Sequence, residues 1–423
     1  MKYLLGICVT ILLSNSGYGD VYDALQLVYD NNPVINQGRN ASDVAYADVQ
    51  TADTQLMPYV GLHGNLGAAR TKIGDYTFDY TPMQYGIEMQ QNIFQGGAMF
   101  ARMQSARNAY NASLANLSAI QQDVFLSAIN AYISVLNTRE VLKLNQNNQR
   151  VLREYYDFVS AQQQVGRLTK TDVYQAAARL EMAKYATTDA QANYDNAQEM
   201  FARICGVAYN DFVDIELNSV EHLFPQSIDD AEQDALRNHP VLIALGEKEQ
   251  ATAHGLLGAY QSILPSVDLR GAIQQIEDVP YLDEVRDSRI GVYLKVPLFD
   301  KGNALASSDK VRAQIAGIQD EIVNARRTIL EQLRSAWNIY QSKEYAIRAT
   351  GASVQANQVA LDGIRDEERR GRRTVLDVLN AEQELLNSRV ANVQAKHARV
   401  AAYFAVLAAA GKLTPDNLGL LKY

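Results

Sequence analysis

The sequence predicts a mainly α-helical chain with a small set of membrane-type β-strands, made from two copies of one unit. Three observations carry this expectation. Two distant stretches share one grammar, long proline-free segments repeat apolar residues at helical spacing, and four short segments alternate apolar with polar side chains.

The 423 residues are 47% hydrophobic and 21% charged, which is ample for a folded core. Lys plus Arg number 39 against 48 Asp plus Glu, a net charge of −9. No basic cluster interleaves with aromatic residues as nucleic-acid surfaces require, so nucleic acid is set aside as a partner. The opening "MKYLLGICVTILLSNSGYGD" places Lys2 before an apolar run from Leu4 to Leu13 and then small residues at Gly17 and Gly19. That is the grammar of a secretory signal peptide over 1-19. A spanning helix needs about 20 apolar residues, and no run of that length follows. With the signal removed, Cys205 is the remaining cysteine, and no internal disulfide is expected.

The duplication is arithmetic. "GRLTKTDV" and "GRRTVLDV" align with Gly166 and Gly371, Thr169 and Thr374, and Asp172 and Asp377 each separated by 205. The same offset relates "NIFQGG" at 92–97 to "PLFDKG" at 297–302. "NNPV" at 31 and "NHPV" at 238 differ by 207, as do Pro58 and Pro265, so the two copies differ by two residues in length.

Each copy reads as helix, strand, strand, very long helix, turn, long helix. No proline lies between Pro82 and Pro225 or between Pro297 and Pro415, so nothing forces a break in the helices. Leu114, Leu117, Gln121, Val124, Ala128, Ala131 and Val135 advance by three and four, and Leu379, Leu386, Val393, Val400 and Leu407 by seven. A seven-residue repeat is a coiled-coil seam. A helix from Gly97 to Val165 extends about 100 Å at 1.5 Å per residue. At the turns a glycine ends the first helix in the left-handed conformation. Thr169 and Thr374 then cap the second, with Asp172 and Asp377 as the acids of a capping box.

The strands have one apolar and one polar face. Val60, Leu62 and Leu66 alternate with Tyr59, His63 and Asn65, and Tyr85, Ile87 and Met89 with Gln84, Glu88 and Gln90. In the second copy Val267, Leu269 and Ile273 alternate with Asp268, Arg270 and Gln274, and Ile290, Val292 and Leu294 with Arg289, Tyr293 and Lys295. Strands of about 10 residues cross a bilayer when tilted. Open edges are costly in lipid and known barrels start at about eight strands, so a four-stranded chain must oligomerise; three copies give twelve strands. The connecting segments "KIGDYTFDYTP" and "EDVPYLDEVRDS" are expected as solvated outer loops.

The expected organisation is therefore a signal peptide at 1-19 and a first structural repeat at 20-207, with strands at about 58-71 and 83-94 and a helical hairpin over 97-205. A linker at 208-237 leads to a second repeat at 238-411, with strands at about 265-276 and 289-298 and a hairpin over 302-410. A tail at 412-423 completes the chain.

On the duplicated "GRLTKTDV" and "GRRTVLDVLNAEQELL", the "LMP" and "ILP" that lead into strands, "NIFQGG", "PLFDKG" and "AGKLTPDNL", the mature chain resembles the TolC family of outer-membrane channel-tunnels. The resemblance implies a homotrimer with a twelve-stranded β-barrel continued by a coiled-coil α-helical barrel through the periplasm of a Gram-negative bacterium. The segments 208-237 and 412-423 would then lie in an equatorial region. The implied role is a passive exit duct, not an enzyme, for a tripartite efflux pump or type I secretion system. Its partners would be outer-membrane lipid, a periplasmic adaptor and an inner-membrane transporter of ABC or RND type, with no cofactor.

Residue by residue, Asp377 matches an aperture position, and Asn380 stands where a second ring acid is common. Arg373 matches a gate-latch position with Thr171 and Asp172 as its partners, and Glu368 replaces a common tyrosine there. Gly166, Leu168, Gly371 and Arg372 fall at the adaptor-docking tips. A competing reading of the same features is a structural or adhesive periplasmic coiled coil whose strands form a small soluble sheet. The five histidines show no ligand spacing, so no metal site is expected.

Overall fold

The structure, a computed structural model, describes residues 21–217, 220–280 and 282–420; the signal peptide expected at 1-19 lies outside them. The helices are α1 (Val21–Asn31), α2 (Pro33–Thr54), α3 (Ala98–Gln164), α4 (Lys170–Cys205), α5 (Ile228–Asn238), α6 (Pro240–Ala259), α7 (Asn303–Arg369) and α8 (Val375–Ala409). The strands are β1 (Tyr59–Leu66), β2 (Ala69–Ile73), β3 (Tyr76–Tyr80), β4 (Met83–Gln95), β5 (Ser266–Val279) and β6 (Leu282–Lys295). The homologous helices α3 and α7 are each 67 residues long.

Two compact units cut across the duplication, each drawing on both copies. A sheet unit comprises Asn36–Ile120 and Gln233–Glu331, and a hairpin unit takes the chain up to Ile35, Gln121–Glu232 and the part from Gln332 onward.

In the sheet unit four antiparallel strands are ordered β1-β4-β5-β6, so the two copies meet at the β4–β5 pair. Leu62, Ile87 and Ile273 share one rung, and Met89, Gly271 and Ile290 the next. Period-two alternation puts these apolar residues on one face, and nothing among the described residues covers it: Leu62 is 85% exposed, Ile273 66% and Ile290 75%. The opposite face is tied by polar bonds. Gln84 Nε2 donates to Gln274 Oε1 at 2.8 Å, and Gln274 Nε2 to Asp287 Oδ2 at 3.2 Å. Arg270 donates to the buried Asp268 at 3.2 Å and stacks 5.1 Å from the centre of the Tyr293 ring. Gly96 turns from β4 toward α3 at φ 59°, where any side chain would run into Leu264.

The strand boundaries differ from expectation in three places. β6 begins at Leu282, not near 289, so most of "EDVPYLDEVRDS" is paired strand: Ile276 faces Val285, Gln275 faces Arg286, and Gln275 Nε2 donates to Glu284 at 2.9 Å. Leu282 and Val285 lie three residues apart, so no period-two pattern marks this part of the strand and its pairing with β5 alone defines it. The strand expected over 58-71 stops at Leu66. The presumed loop "KIGDYTFDYTP" belongs to a separate β2–β3 hairpin, turned at Gly74 (φ 60°) and braced by Arg70 on Asp79.

In the hairpin unit, α1 buries Val21, Ala24, Leu25 and Val28, one helical stripe. Tyr132, Phe201, Tyr209 and Phe212 form an aromatic cluster in which the rings of Tyr132, Phe201 and Tyr209 each lie 5.1–5.3 Å from that of Phe212. Cys205 is buried beside it with a free thiol. The α4 seam is a strict heptad of small residues, Ala176, Ala183, Ala190 and Ala197, closed by Ile204. In α8, Leu379 and Leu407 of the expected seam are buried and Leu386, Val393 and Val400 between them are half-buried, while Ser388, Ala395 and Ala402 form a buried heptad row beside them. Small side chains let helix backbones approach, and the larger ones fill the flanks.

The duplicated "NxPV" motif does the same work twice. Asn32 Oδ1 accepts from Val34 N at 2.8 Å, while its Nδ2 donates to Ile204 O. His239 caps α6 by accepting from Val241 N through Nδ1 at 3.4 Å, with Pro240 at the first helical position. His239 is 7% exposed, and burial lowers its pKa to about 4 from 6.5. The folded chain therefore holds a neutral imidazole where the unfolded chain binds a proton. Stability is full above the unfolded value and is lost as pH falls toward about 4, by up to about 3 kcal/mol. His239→Asn, the residue used in the first copy, is expected to remove this part of the acid destabilisation. Melting temperatures followed between those two pH values check it, and parallel wild-type and variant curves contradict it.

Candidate functional site

The two hairpin tips are built alike by their sequence. Gly166 (φ 78°) and Gly371 (φ 73°) take the left-handed conformation that only glycine adopts without strain. Each closes a Schellman pair: Arg167 N donates to Gln162 O and Gly166 N to Gln163 O, then Arg372 N to Glu367 O and Gly371 N to Glu368 O. The next helices start with reciprocal boxes. Asp172 N donates to Thr169 Oγ1 at 3.3 Å and Thr169 N to Asp172 Oδ2 at 2.9 Å; Asp377 N donates to Thr374 Oγ1 at 3.2 Å and Thr374 N to Asp377 Oδ2 at 2.9 Å.

Asp377 is thus first a capping acid. The backbone N–H and hydroxyl of Thr374, and then nearby Arg373, hold its carboxyl below the usual aspartate value, so it is charged at neutral pH. Both bonds fall on Oδ2, and among the described residues none engages Oδ1. Asn380, one turn further, accepts from Arg179 Nη2 at 2.9 Å, which links α8 to α4. Arg373 donates to Glu367 at 2.9 Å within its own hairpin; both side chains are about half exposed, so water screens the pair and it adds little stability. Thr171, Gly166, Gly371 and Arg372 are exposed, while Leu168 is half-buried against the tip cluster. Glu368 is half-buried, and desolvation raises its carboxyl above the ordinary value.

The tips of the two hairpins are packed together by apolar side chains. One cluster joins Leu152 and Val159 of α3, Ala176 and Leu180 of α4, and Val375 and Leu379 of α8. A second joins Leu361 of α7 to Val378 and Leu385 of α8. Tyr155 packs against both.

Sequence reasoning missed Glu367, Arg179, Tyr155 and the Arg365–Glu382 ion pair. A signal existed for the last. In an antiparallel hairpin, residues equally far from the turn face each other, and 365 and 382 lie symmetrically about it, as do 358 and 389, another bonded pair. Arg179 and Tyr155 meet partners from the other hairpin, and no spacing within one hairpin reveals that. Among the described residues no group of three or more His, Cys, Asp or Glu is placed to hold a metal ion.

A mostly helical chain with duplicated long hairpins and a small sheet, apolar on its uncovered face, defines the class of outer-membrane channel-tunnels, which are ducts and not enzymes. The family model described as "Outer membrane efflux protein" matches residues 24–207 and 233–412, and the chain belongs to that family, whose place is the outer membrane of Gram-negative bacteria. The chain is similar to the outer membrane efflux protein BepC of Brucella suis, 28% identical over 94% of this chain and 86% of that one. It is also similar to the outer membrane protein TolC of Escherichia coli, 22% identical over 86% and 77%. Its fold matches the outer membrane channel CmeC of Campylobacter jejuni with a TM-score of 0.81 at 17% identity, covering 95% and 89% of the two chains.

Thr374→Val keeps the shape of the tip residue and removes the cap, at a cost of about 1 kcal/mol. Hydrogen exchange is expected to speed at the first turn of α8, about residues 375–378, with α4 unchanged. Unaltered exchange there contradicts the capping role.

Proposed function

We propose that three copies of the chain close one twelve-stranded barrel in the outer membrane, continued in the periplasm by a barrel of the long helices. The assembly acts as the passive exit duct of a tripartite efflux pump or type I secretion system. The observation that carries this reading is the β1-β4-β5-β6 sheet: four strands, two edges with no partner among the described residues, and an apolar face left in the open. In hydrocarbon each unpaired backbone group costs several kcal/mol, so the edges β1 and β6 require neighbours, and a second and third copy supply them. The polar face, with its Gln84–Gln274–Asp287 chain and its Arg270–Asp268 pair, becomes the wet lumen.

On this reading the hairpin tips are the gate. Asp377, charged and with one oxygen uncommitted, rings the aperture threefold, and Asn380 stands beside it without adding charge. Three like charges around a narrow opening attract cations. Arg373, Glu368, Thr171 and Asp172 form the latch, and the exposed turn residues Gly166, Gly371 and Arg372, with Leu168, meet a periplasmic adaptor that links the duct to an inner-membrane ABC or RND transporter. The segments 208-237 and 412-423 sit around the equator of the helical barrel. Substrate choice on this reading rests with the inner-membrane partners.

Reconstitution into planar bilayers tests the duct. The expected result is trimeric protein from detergent that conducts ions, with divalent-cation block weakened about tenfold or more by Asp377→Ala. Protein released as a soluble monomer without conductance rejects the duct in favour of the periplasmic coiled coil, and unchanged block removes Asp377 from the aperture.

A further inference from the structure

Tyr155 of α3 reaches both apolar clusters of the hairpin tips, yet its hydroxyl is buried and has no hydrogen-bond partner among the described residues. An unmade bond of this kind costs about 1–3 kcal/mol, so a buried orphan donor at a moving part calls for a partner. The charged groups facing that hydroxyl come from all three other helices: Asp172 of α4, Arg365 and Glu368 of α7, and Glu382 of α8. Most are already committed. Arg365 pairs with Glu382, and Asp172 accepts from Thr169 through the capping box. The neighbours of Glu368 are committed too, Asp366 to Arg369 and Glu367 to Arg373. The carboxyl of Glu368 alone in this group makes no hydrogen bond or ion pair among the described residues; Arg369 attracts its charge only at longer range. The Glu368 carboxyl, which lacks a bond among the described residues, lies on α7 one turn past Ile364 of the cluster that Tyr155 joins, so the two groups face the same junction between the hairpins.

We propose that Tyr155 and Glu368 are a positioning pair that ties α7 to α3 at the tips, and that the proton on Glu368 sets the tie. Neutral Glu368 turns inward and bonds the Tyr155 hydroxyl, satisfying both groups within the apolar seam. Ionised Glu368 is drawn toward water and leaves the seam one bond short, so the tip opens more readily. This inference rests on the gating reading given above, because only a tip that moves has use for an adjustable tie. The sign follows from linkage. Burial without a compensating cation makes the packed tip bind the Glu368 proton more readily than a parted tip does. Acid therefore favours the packed state, and that stabilisation is lost as pH rises through the raised value.

The full-length protein in planar bilayers, with hydrogen exchange measured on the same preparation in detergent, tests the pair. From neutral to about pH 5, wild-type conductance is expected to fall about threefold, and exchange around 152–158 and 364–372, corrected for its intrinsic pH dependence, to slow. Glu368→Gln is a permanent mimic of the neutral acid and is expected to hold the low-conductance, protected state at every pH. Tyr155→Phe keeps the ring in the clusters and removes the hydroxyl, and is expected to move the midpoint of the response to lower pH, which a purely packing role would not do. A wild-type pH profile in either variant, or conductance that rises with acid, overturns the pair. If the wild-type protein carries no current at all, it is the duct that fails, and the exchange measurements still decide whether Glu368 and Tyr155 are coupled.

Discussion

Backbone amides and carbonyls in hydrocarbon must find partners, and the described residues leave two rows of them without any, along β1 and β6. The constraint is sharpened by the face beside them. Leu62, Ile87, Ile273 and Ile290 stand in the open on one side of the sheet, while Gln84, Gln274, Asp268 and Arg270 bond to one another on the other. A soluble sheet with this pattern would place the apolar face inward against a core. Here no described element of the chain covers it. A lipid exterior and a wet interior would satisfy both faces at once, and the proposed closure through identical neighbours would satisfy the edges.

The duplication explains why so much of the fold was legible. A repeat of 205 residues fixed by glycine, threonine and aspartate puts the same left-handed turn and the same capping box at Gly166–Asp172 and Gly371–Asp377, and both formed as the local chemistry requires. Proline-free stretches gave two helices of 67 residues. What stayed hidden was set by non-local pairing. The acidic run after Pro280 looks like a solvated loop until its register is matched against β5, and the heptad of α8 reads as a Leu/Val seam although between its buried ends, Leu379 and Leu407, the small residues Ser388, Ala395 and Ala402 are more deeply buried than Leu386, Val393 and Val400. Hydrophobicity marks which residues want cover; it does not say which helix comes close enough to need alanine.

The tips follow the same division. Asp172 and Asp377 were readable as capping acids because their partners lie three residues away. The bonds that join one hairpin to the other, Arg179 to Asn380 and the seat of Tyr155 between two clusters, depend on the packing of separate helices and left no periodic trace. The charged character of the second tip was plain from its arginines, but their division into committed pairs was not. Arg373 and Arg369 are spoken for by Glu367 and Asp366, so the acid left over is Glu368. Local rules thus build each tip, and long-range packing decides how the two tips are held.

The closure of the sheet through its edges can be read directly. A photo-crosslinking residue placed at Leu62 on β1 of the full-length protein, in outer membranes, should join each copy to β6 of its neighbour, near Val292, and drive the chain into a covalent ring of three on a denaturing gel. Crosslinks that stay within one chain, or a ladder without a stop at three, would contradict the account.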